Sequence, residues 1–314
     1  MEDLLQEHKI DYSVIIPVYN GEGSIEELCD KLISFFGPLE YTFELIFVDD
    51  YSKDGSWAKI INLKKEHALF VKGLRLSKNF GQHIATCAGF IKSSGKFIIT
   101  IDDDLEVNPQ QIQLLIEEQI KSKAEIVYGI YSNIERSLIR KLFKLIYQTI
   151  AKIIEGSGSV KGSSFRLINT QLAKKIATEA THLIFIDEVF LWYTNAIVYV
   201  DVKHNKSKRS KSNYSLISLI RLTNDVVLYS SLFPLKMIKY FGFFFSFVNF
   251  GIGFFYLSRK IIQGIAVPGY TSIIVSILFS SGLIIFILGV LGEYLSKMFQ
   301  LMNNRPVYSI GEEI

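Results

Sequence analysis

Three adjacent carboxylates, Asp102-Asp103-Asp104, followed by Leu105 and Glu106, stand out in this chain of 314 residues. Like charges this close repel one another, so the arrangement is costly unless a cation or strong hydrogen-bond donors offset it. A hard divalent ion takes oxygen ligands and commonly keeps substrate phosphates in its shell. In an extended segment residues i and i+2 point the same way, so Asp102 and Asp104 can share one ligand while Asp103 faces elsewhere. Taken alone, the cluster is equally a solvated acidic turn ahead of a helix starting near Pro109.

A second acidic pair opens the stretch Asp49-Asp50-Tyr51-Ser52-Lys53-Asp54-Gly55. Carboxylates there can accept hydrogen bonds from a nucleobase N–H or a ribose hydroxyl, although Asp54 by itself reads as a helix cap. Arg75-Leu76-Ser77-Lys78-Asn79-Phe80-Gly81 then places two cations, Arg75 and Lys78, after an apolar run, where they suit a diphosphate. Asp187-Glu188 offers a candidate base, with capping or structural pairing as the alternative. Lys203 to Lys211 carries five Lys or Arg in nine residues. Basic residues beside a membrane attract anionic headgroups at about 1 kcal/mol each. His83 and His204 have no partner spacing that suggests zinc.

The elements that must hold these groups are legible in the first half. Residues 12–17 form a short β-branched run, and Ser24 precedes an amphipathic stretch over 25–36 with Glu26 and Glu27 in its first turn. The pattern predicts strands over 43–48, 70–76 and 96–101, and helices over 54–67 and 82–93. Strands alternating with helices imply a parallel sheet with helices on its faces. Ligands bind outside the carboxyl ends of such strands, and both acidic clusters fall there, facing one crevice. Farther on, 136–154 is helical in pattern with Arg136, Arg140, Lys141 and Lys144 along one side, 156–164 is loop-like, and 197–202 is another strand.

The tail is different in character. Residues 240–258 are nineteen without a charge, and 267–292 are twenty-six. Each is long enough for a hydrocarbon core of ~30 Å, which needs about 20 residues. Arg259 and Lys260 lie between them, whereas Arg221, Lys236, Lys239, Lys297 and Arg305 flank the outer ends, which places both outer ends in the cytoplasm. Hydrophobic residues make up 49% of the chain, the net charge is only +3, and nothing argues for nucleic acid as a partner. Cys29 and Cys87 give neither a disulfide framework nor a zinc pattern. Residues 1–10 are charged and lack the apolar core of a signal peptide, so the first two hundred residues are expected on the cytosolic side.

Several motifs, taken in order, resemble glycosyltransferase family 2. They are Ile16-Pro17-Val18-Tyr19-Asn20, Val48-Asp49-Asp50 with Ser52 and Asp54-Gly55, Leu76-Ser77-Lys78-Asn79-Phe80-Gly81, and the Asp-x-Asp-Leu cluster. Ser163-Ser164-Phe165-Arg166-Leu167-Ile168, Ser212-Asn213-Tyr214, residues 231–236, Gly292-Glu293-Tyr294 and residues 305–308 extend the likeness over nearly the whole chain. Within the family it is similar to the polyprenyl-phosphate branch, which includes dolichyl-phosphate mannose synthase and undecaprenyl-phosphate sugar transferases.

The resemblance implies an α/β fold: a GT-A-type, Rossmann-like nucleotide-sugar domain followed by a two-helix transmembrane hairpin. The expected boundaries are a cytosolic catalytic domain over 1–211, an amphipathic juxtamembrane segment over 212–239, spans over about 240–258 and 269–292, and a cytosolic tail over 293–314. It implies a nucleotide-diphosphate sugar, UDP favoured over GDP and dTDP, a Mg2+ or Mn2+ ion, and a polyprenyl phosphate acceptor, undecaprenyl favoured over dolichyl. By motif match Pro17, Tyr19, Asn20, Asp49, Asp50, Ser52, Lys78, Asp102 and Asp103 lie at the nucleotide. Asp102, Asp104 and Glu106 would hold the metal, and Asp102, Asp104 and Arg166 would act in catalysis, Arg166 by steadying a phosphate. Lys206, Lys208, Arg209, Ser212 and Tyr214 form the acceptor-phosphate loop. An inverting transferase in the inner membrane is the expectation, self-associated, with a tetramer the favoured order.

Departures from the family pattern matter too. Glu106 stands where many relatives carry Gln, Gly21 where many carry Glu, and Ser207 and Ser210 where the loop usually has Arg and Gly. Ser164 occupies a position where some relatives have an Asp proposed as general base, so the base is unassigned, with Asp187 and Glu188 as alternatives. A phosphate monoester has a second pKa of about 6 and needs little help to lose its proton at neutral pH. Two other function classes compete. A processive polysaccharide synthase would want a Gln-x-x-Arg-Trp motif, and neither Trp57 nor Trp192 follows an Arg. A non-enzymatic membrane module with a degenerate nucleotide domain would not need the intact acidic clusters.

Overall fold

The structure is a computed structural model that describes residues 10–131, 162–179, 186–203, 269–302 and 308–314, with scattered helical positions between 238 and 262. The apolar runs of the first half become β1 (Ile10–Val18), β2 (Phe43–Asp49), β3 (Val71–Leu76) and β4 (Gly95–Thr100). Between them lie α1 (Ile25–Phe36), α2 (Ser56–Glu66) and α3 (Gln82–Lys92). β1 and β2 are buried on both faces, which is why they read as continuous apolar runs and not as alternation. Val14, Ile16 and Val18 pack into one core layer with the α1 stripe Leu28, Cys29, Leu32 and Phe36, while Ile15 faces the other layer with Ala85, Ala88 and Phe90 of α3.

A 3-10 turn (Pro109–Gln111) leads into α4 (Ile112–Ser122), followed by β5 (Ile126–Tyr131). β6 (Arg166–Asn169), α5 (Thr170–Glu179), α6 (Ile186–Tyr193) and β7 (Ile197–Val202) complete the middle of the chain. After α7 (Tyr270–Met302) the chain returns to the sheet as β8 (Ile310–Glu313). The strand order is β7-β5-β6-β4-β1-β2-β3-β8. The expectation of a wholly parallel sheet needs correction, because β6 runs antiparallel to β4 and β5, and β8 antiparallel to β3. Both exceptions are four-residue strands without a long apolar run, and their neighbours, not their own pattern, make them strands.

The topology fixes where a ligand can sit. From β1 the chain steps outward through β2 to β3, then crosses back to lay β4 on the other side of β1. The loops after β1 and β4 diverge at this switch point, and in open α/β sheets ligands bind in the crevice outside the carboxyl ends of the strands at such a point. Asp50 N–H donates to Val18 O (2.9 Å) and Ile101 N–H to Ile15 O (3.1 Å), so the two acidic clusters flank the end of β1.

The opposite ends of the strands are pinned by a buried carboxylate. Glu44 Oε1 accepts Ser13 Oγ–H (2.6 Å) and Ser94 N–H (2.6 Å), and its Oε2 lies 2.6 Å from Lys72 Nζ. Gly95 N–H donates to Ser13 Oγ (2.8 Å), and a Cβ on Gly95 would stand 2.6 Å from the Ser13 backbone nitrogen. Gly95→Ala is therefore expected to destabilise by about 2 kcal/mol. That would lower the Tm by about 6 °C for a domain of this size. Gly23→Ala, with nothing within 4 Å of its new Cβ, is the control that leaves Tm unchanged; equal Tm values for the two variants would refute the pinning.

The chain divides into two units, one of residues 1–149, 158–213 and 306–314, the other of 150–157 and 214–305. Within the second unit, Phe279–Ser296 of α7 is the one helix among the described residues long and apolar enough to cross a membrane. Ile284, Ile285, Phe286, Leu288 and Leu295 are all exposed along it. The helix does not stop near 292 but continues to Met302, and residues 310–313 lie in the sheet, so 293–314 is not a separate tail. The amphipathic segment expected over 212–239 and the span over 240–258 fall outside the described residues apart from scattered helical positions.

Candidate active site

Two loops form the floor of the crevice beside β1. Asn20 adopts φ 53°, a left-handed conformation that Asn tolerates better than most residues. Its N–H donates to Ser52 Oγ (2.9 Å), and its Oδ1 accepts Lys53 N–H (2.9 Å). Gly21 N–H donates to Ser56 Oγ (2.9 Å), while Glu22 Oε2 accepts Gly55 N–H (3.0 Å). The loops after β1 and β2 are thereby laced together, and Tyr19 and Tyr51 rise from them with their rings exposed. Tyr51 sits at φ 60°, which is strained for a bulky side chain.

The expected contact of Asp49 and Asp50 with a nucleotide meets a different geometry, because both are beneath the surface, at 0% and 3% exposure. Asp49 Oδ1 accepts Ser52 N–H (3.1 Å), and Arg75 Nε stands 3.2 Å from Asp49 Oδ2, an ion pair by distance that is not aligned as a hydrogen bond. Asp50 accepts Phe80 N–H (2.7 Å) and Gly81 N–H (2.8 Å), one on each oxygen. Burial pushes both carboxyls above their ordinary range, and these bonds pull them back. Asp50 thus shapes the loop carrying Lys78, whose Nζ lies 5.0 Å from the Phe80 ring centroid.

The acidic segment follows the expected alternation. Asp103 is 6% exposed, whereas Asp102, Asp104 and Glu106 are half-buried on the other side. Leu105 at φ 61° turns the chain, and Asp104 Oδ1 accepts Glu106 N–H (3.0 Å). Asp102 accepts Gln82 Nε2–H on Oδ1 (2.6 Å) and Ser164 Oγ–H on Oδ2. Its pKa is pushed up to about 6, first by burial; the Ser164 bond and Arg166 lower it, while Asp104 and Glu106 raise it. Tyr131, which no sequence signal marks, has its phenol pushed up to about 12 by burial and then by Asp102, Glu106 and Asp104.

Among the described residues no three carboxylate, imidazole or thiol groups converge as a complete metal-ligand set. The donor chemistry still fits a hard divalent ion of one kind. Asp102 and Asp104 share a side, and Mg2+-like ions are commonly held by one or two carboxylates plus substrate phosphates.

Arg166 is 2% exposed and forms an ion pair with Asp187, so it does not stand open to a phosphate. Tyr128 OH donates to the same Asp187 oxygen (2.8 Å), and the guanidinium lies 5.4 Å from the Phe190 ring centroid. Asp187, a candidate base, is therefore committed to Arg166 and Tyr128. Ser164 acts as a donor to Asp102, and its carbonyl accepts Thr100 Oγ1–H, tying β4 to the segment before β6. His83 lies beside this pair with its pKa lowered, first by burial and then by Arg166. The Glu188 side chain, the Arg136–Lys144 face and the acceptor loop with Lys206, Lys208, Arg209, Ser212 and Tyr214 fall outside the described residues.

A family model described as glycosyl transferase family 2 matches residues 13–177. An uncharacterized glycosyltransferase of Synechocystis sp. is 31% identical over 96% of this chain and 95% of its own length. An undecaprenyl-phosphate 4-deoxy-4-formamido-L-arabinose transferase of Aeromonas hydrophila is 28% identical over 95% of this chain and 92% of its own. Among solved structures, glucosyl-3-phosphoglycerate synthase from Mycobacterium tuberculosis, crystallised with Mn2+, UDP-glucose and phosphoglyceric acid, superimposes with a TM-score of 0.50 at 18% identity. It covers 70% of this chain and 78% of that one, a likeness of fold.

Proposed function

Because the chain belongs to glycosyl transferase family 2 and carries its GT-A-like mixed sheet, we propose that it moves a sugar from a nucleoside-diphosphate donor to a polyprenyl phosphate. The observation that carries this reading is the group Asp102, Asp104 and Glu106, partly exposed after β4 and close enough for Asp104 and Glu106 to raise the Asp102 pKa, with the Asp49-Asp50 loop tied to the end of β1 beside it. The relative named for undecaprenyl phosphate supports the acceptor, and the similar synthase crystallised with Mn2+ and UDP-glucose supports a UDP-sugar and a divalent ion.

In this reading Tyr19 lies against the base, Asn20 and Ser52 shape the ribose end, and Lys78 approaches the diphosphate. Asp49 and Asp50 hold those loops from beneath. Asp102 and Asp104, with Glu106 beside them, would hold Mg2+ or Mn2+, whose chemistry is neutralisation of the departing diphosphate. An acceptor phosphate oxygen bonds to the anomeric carbon as the bond to the diphosphate breaks, and the electron pair leaves with the nucleotide. A single displacement inverts the anomeric centre. The acceptor oxygen is already anionic, so alignment matters more than deprotonation, and the chain needs no dedicated base. Lys206, Lys208 and Arg209 would hold the lipid phosphate, with Ser212 and Tyr214.

The stretch Phe279–Ser296 of α7 is long and apolar enough to cross a membrane, which supports anchoring in the cytoplasmic membrane. Two spans, over 240–258 and 269–292, a cytosolic catalytic unit and a homo-oligomer, a tetramer for preference, complete the proposal. The test incubates detergent-solubilised full chain with radiolabelled UDP-, GDP- and dTDP-sugars and undecaprenyl phosphate, with Mn2+ or with EDTA. One donor is expected to deliver label into the chloroform phase only when metal is present. A long water-soluble polymer would point to a processive synthase, and no transfer from any donor would end the enzymatic reading.

A further inference from the structure

β8 does more than close an edge. Gly73 N–H donates to Ile314 O (3.0 Å), Ile314 N–H to Gly73 O (2.9 Å), and Ser77 N–H to Ser309 O (2.8 Å), so the strand is held along the length of β3. Gly73 leaves room for it, since a Cβ there would stand 2.8 Å from the side chains of Ile314 and Ile60. This pairing sets Glu312 opposite Arg75. Its Oε2 accepts Trp57 Nε1–H (3.0 Å) and its Oε1 lies 3.3 Å from Arg75 Nη1.

Arg75 then reaches inward. Its Nε stands 3.2 Å from buried Asp49, and its guanidinium lies 5.6 Å from the ring centroid of Tyr51 and 5.8 Å from that of Trp57. Asp49 holds Ser52 N–H, and Ser52 holds Asn20 N–H. A continuous run of contacts therefore links a strand that follows α7 to the floor of the crevice. Two features make that floor dependent on support. A buried carboxylate is costly unless a cation stays near it. A bulky residue at φ 60° persists only where its surroundings hold it. Arg75 is a long, partly exposed side chain with much rotamer freedom, and Glu312 and Trp57 are what fix its outer end.

We propose that Glu312 is a positioning residue for the nucleotide site: through Arg75 it sets Asp49 and Tyr51, so the donor is bound well only when β8 is docked. The proposal rests on the donor-site reading given above. Glu312 is more than half exposed, and exposed ion pairs contribute little to stability. Its loss should therefore move ligand binding and not the melting temperature, which separates positioning from a structural role.

The experiment uses the full chain in detergent with Trp192→Phe as background. Trp192 is 78% exposed and is one of two tryptophans, so Trp57 alone then reports whether its bond to Glu312 is made. UDP with Mn2+ is titrated calorimetrically into this protein and into its Glu312→Gln variant, with GDP and dTDP as further probes. The variant is expected to bind about tenfold more weakly and to show a raised donor KM with kcat nearly unchanged. Its Tm should be unaltered and its Trp57 emission shifted. If the background protein binds a nucleotide and Glu312→Gln binds it equally while Trp57 emission shifts, the positioning role is overturned and the donor reading stands. If the background protein binds none of the three nucleotides, the donor reading fails and this proposal with it.

Discussion

Asp104→Asn is expected to lower sugar transfer on the order of 10³-fold while leaving the fold intact. Asparagine keeps the size of the side chain and the Oδ1 that accepts Glu106 N–H, so the local turn survives. What disappears is one negative charge from the side shared by Asp102, Asp104 and Glu106. Asp104 helps to push the Asp102 carboxyl up, so removing its charge relieves repulsion and should hold or raise Tm. Stability and activity therefore move apart, the signature of a group retained for chemistry. Measuring kcat at saturating donor and fixed Mn2+, beside a thermal melt, settles the matter. A loss smaller than tenfold, or a fall in Tm comparable to the loss of a core contact, would sink the metal assignment.

Arg166→Met should have the largest effect on stability, about 3–5 kcal/mol, because it leaves the Asp187 carboxylate without the buried guanidinium that pairs with it. For a domain of roughly this size that corresponds to a Tm drop of about 10 °C. Burial disfavours the guanidinium, yet Asp187 and Tyr128 hold it charged, while its Nε has no hydrogen-bond partner. The pair is thus poorly compensated, and replacing both members should recover much of the loss. Arg166→Met with Asp187→Leu puts two apolar side chains beside Phe190 and Tyr128. Circular dichroism melts of both variants test this. A single variant that melts within 3 °C of the parent would mean that Arg166 is not the strut described above.

The first half of the fold was legible because its strands are buried on both faces and its helices carry clean apolar stripes. α1 begins and ends where the spacing of Ile25, Leu28, Leu32 and Phe36 predicts, and β1 through β4 fall within two residues of expectation. The sequence period placed Asp103 apart from Asp102 and Asp104, and Asp103 is buried while Asp102 and Asp104 are partly exposed. β6 escaped notice because its four residues begin with a buried Arg, and β8 because Ile-Gly-Glu-Glu has no strand pattern of its own. The part played by Asp50 was equally invisible. It depends on Phe80 and Gly81, thirty residues away, turning their N–H groups toward one carboxylate, and no local spacing encodes that.

The place of β8 in chain order bears on how the protein is made. A ribosome delivers α7 before β8, so the catalytic unit emerges and begins to fold with β3 as an open edge. Open edges invite pairing with other chains, which makes the interval before β8 arrives the hazardous one in biogenesis. That same order means the apolar helix is already synthesised before Glu312 can reach Arg75. On the proposal above, a nascent chain would acquire its full grip on a sugar nucleotide only after α7 has been made.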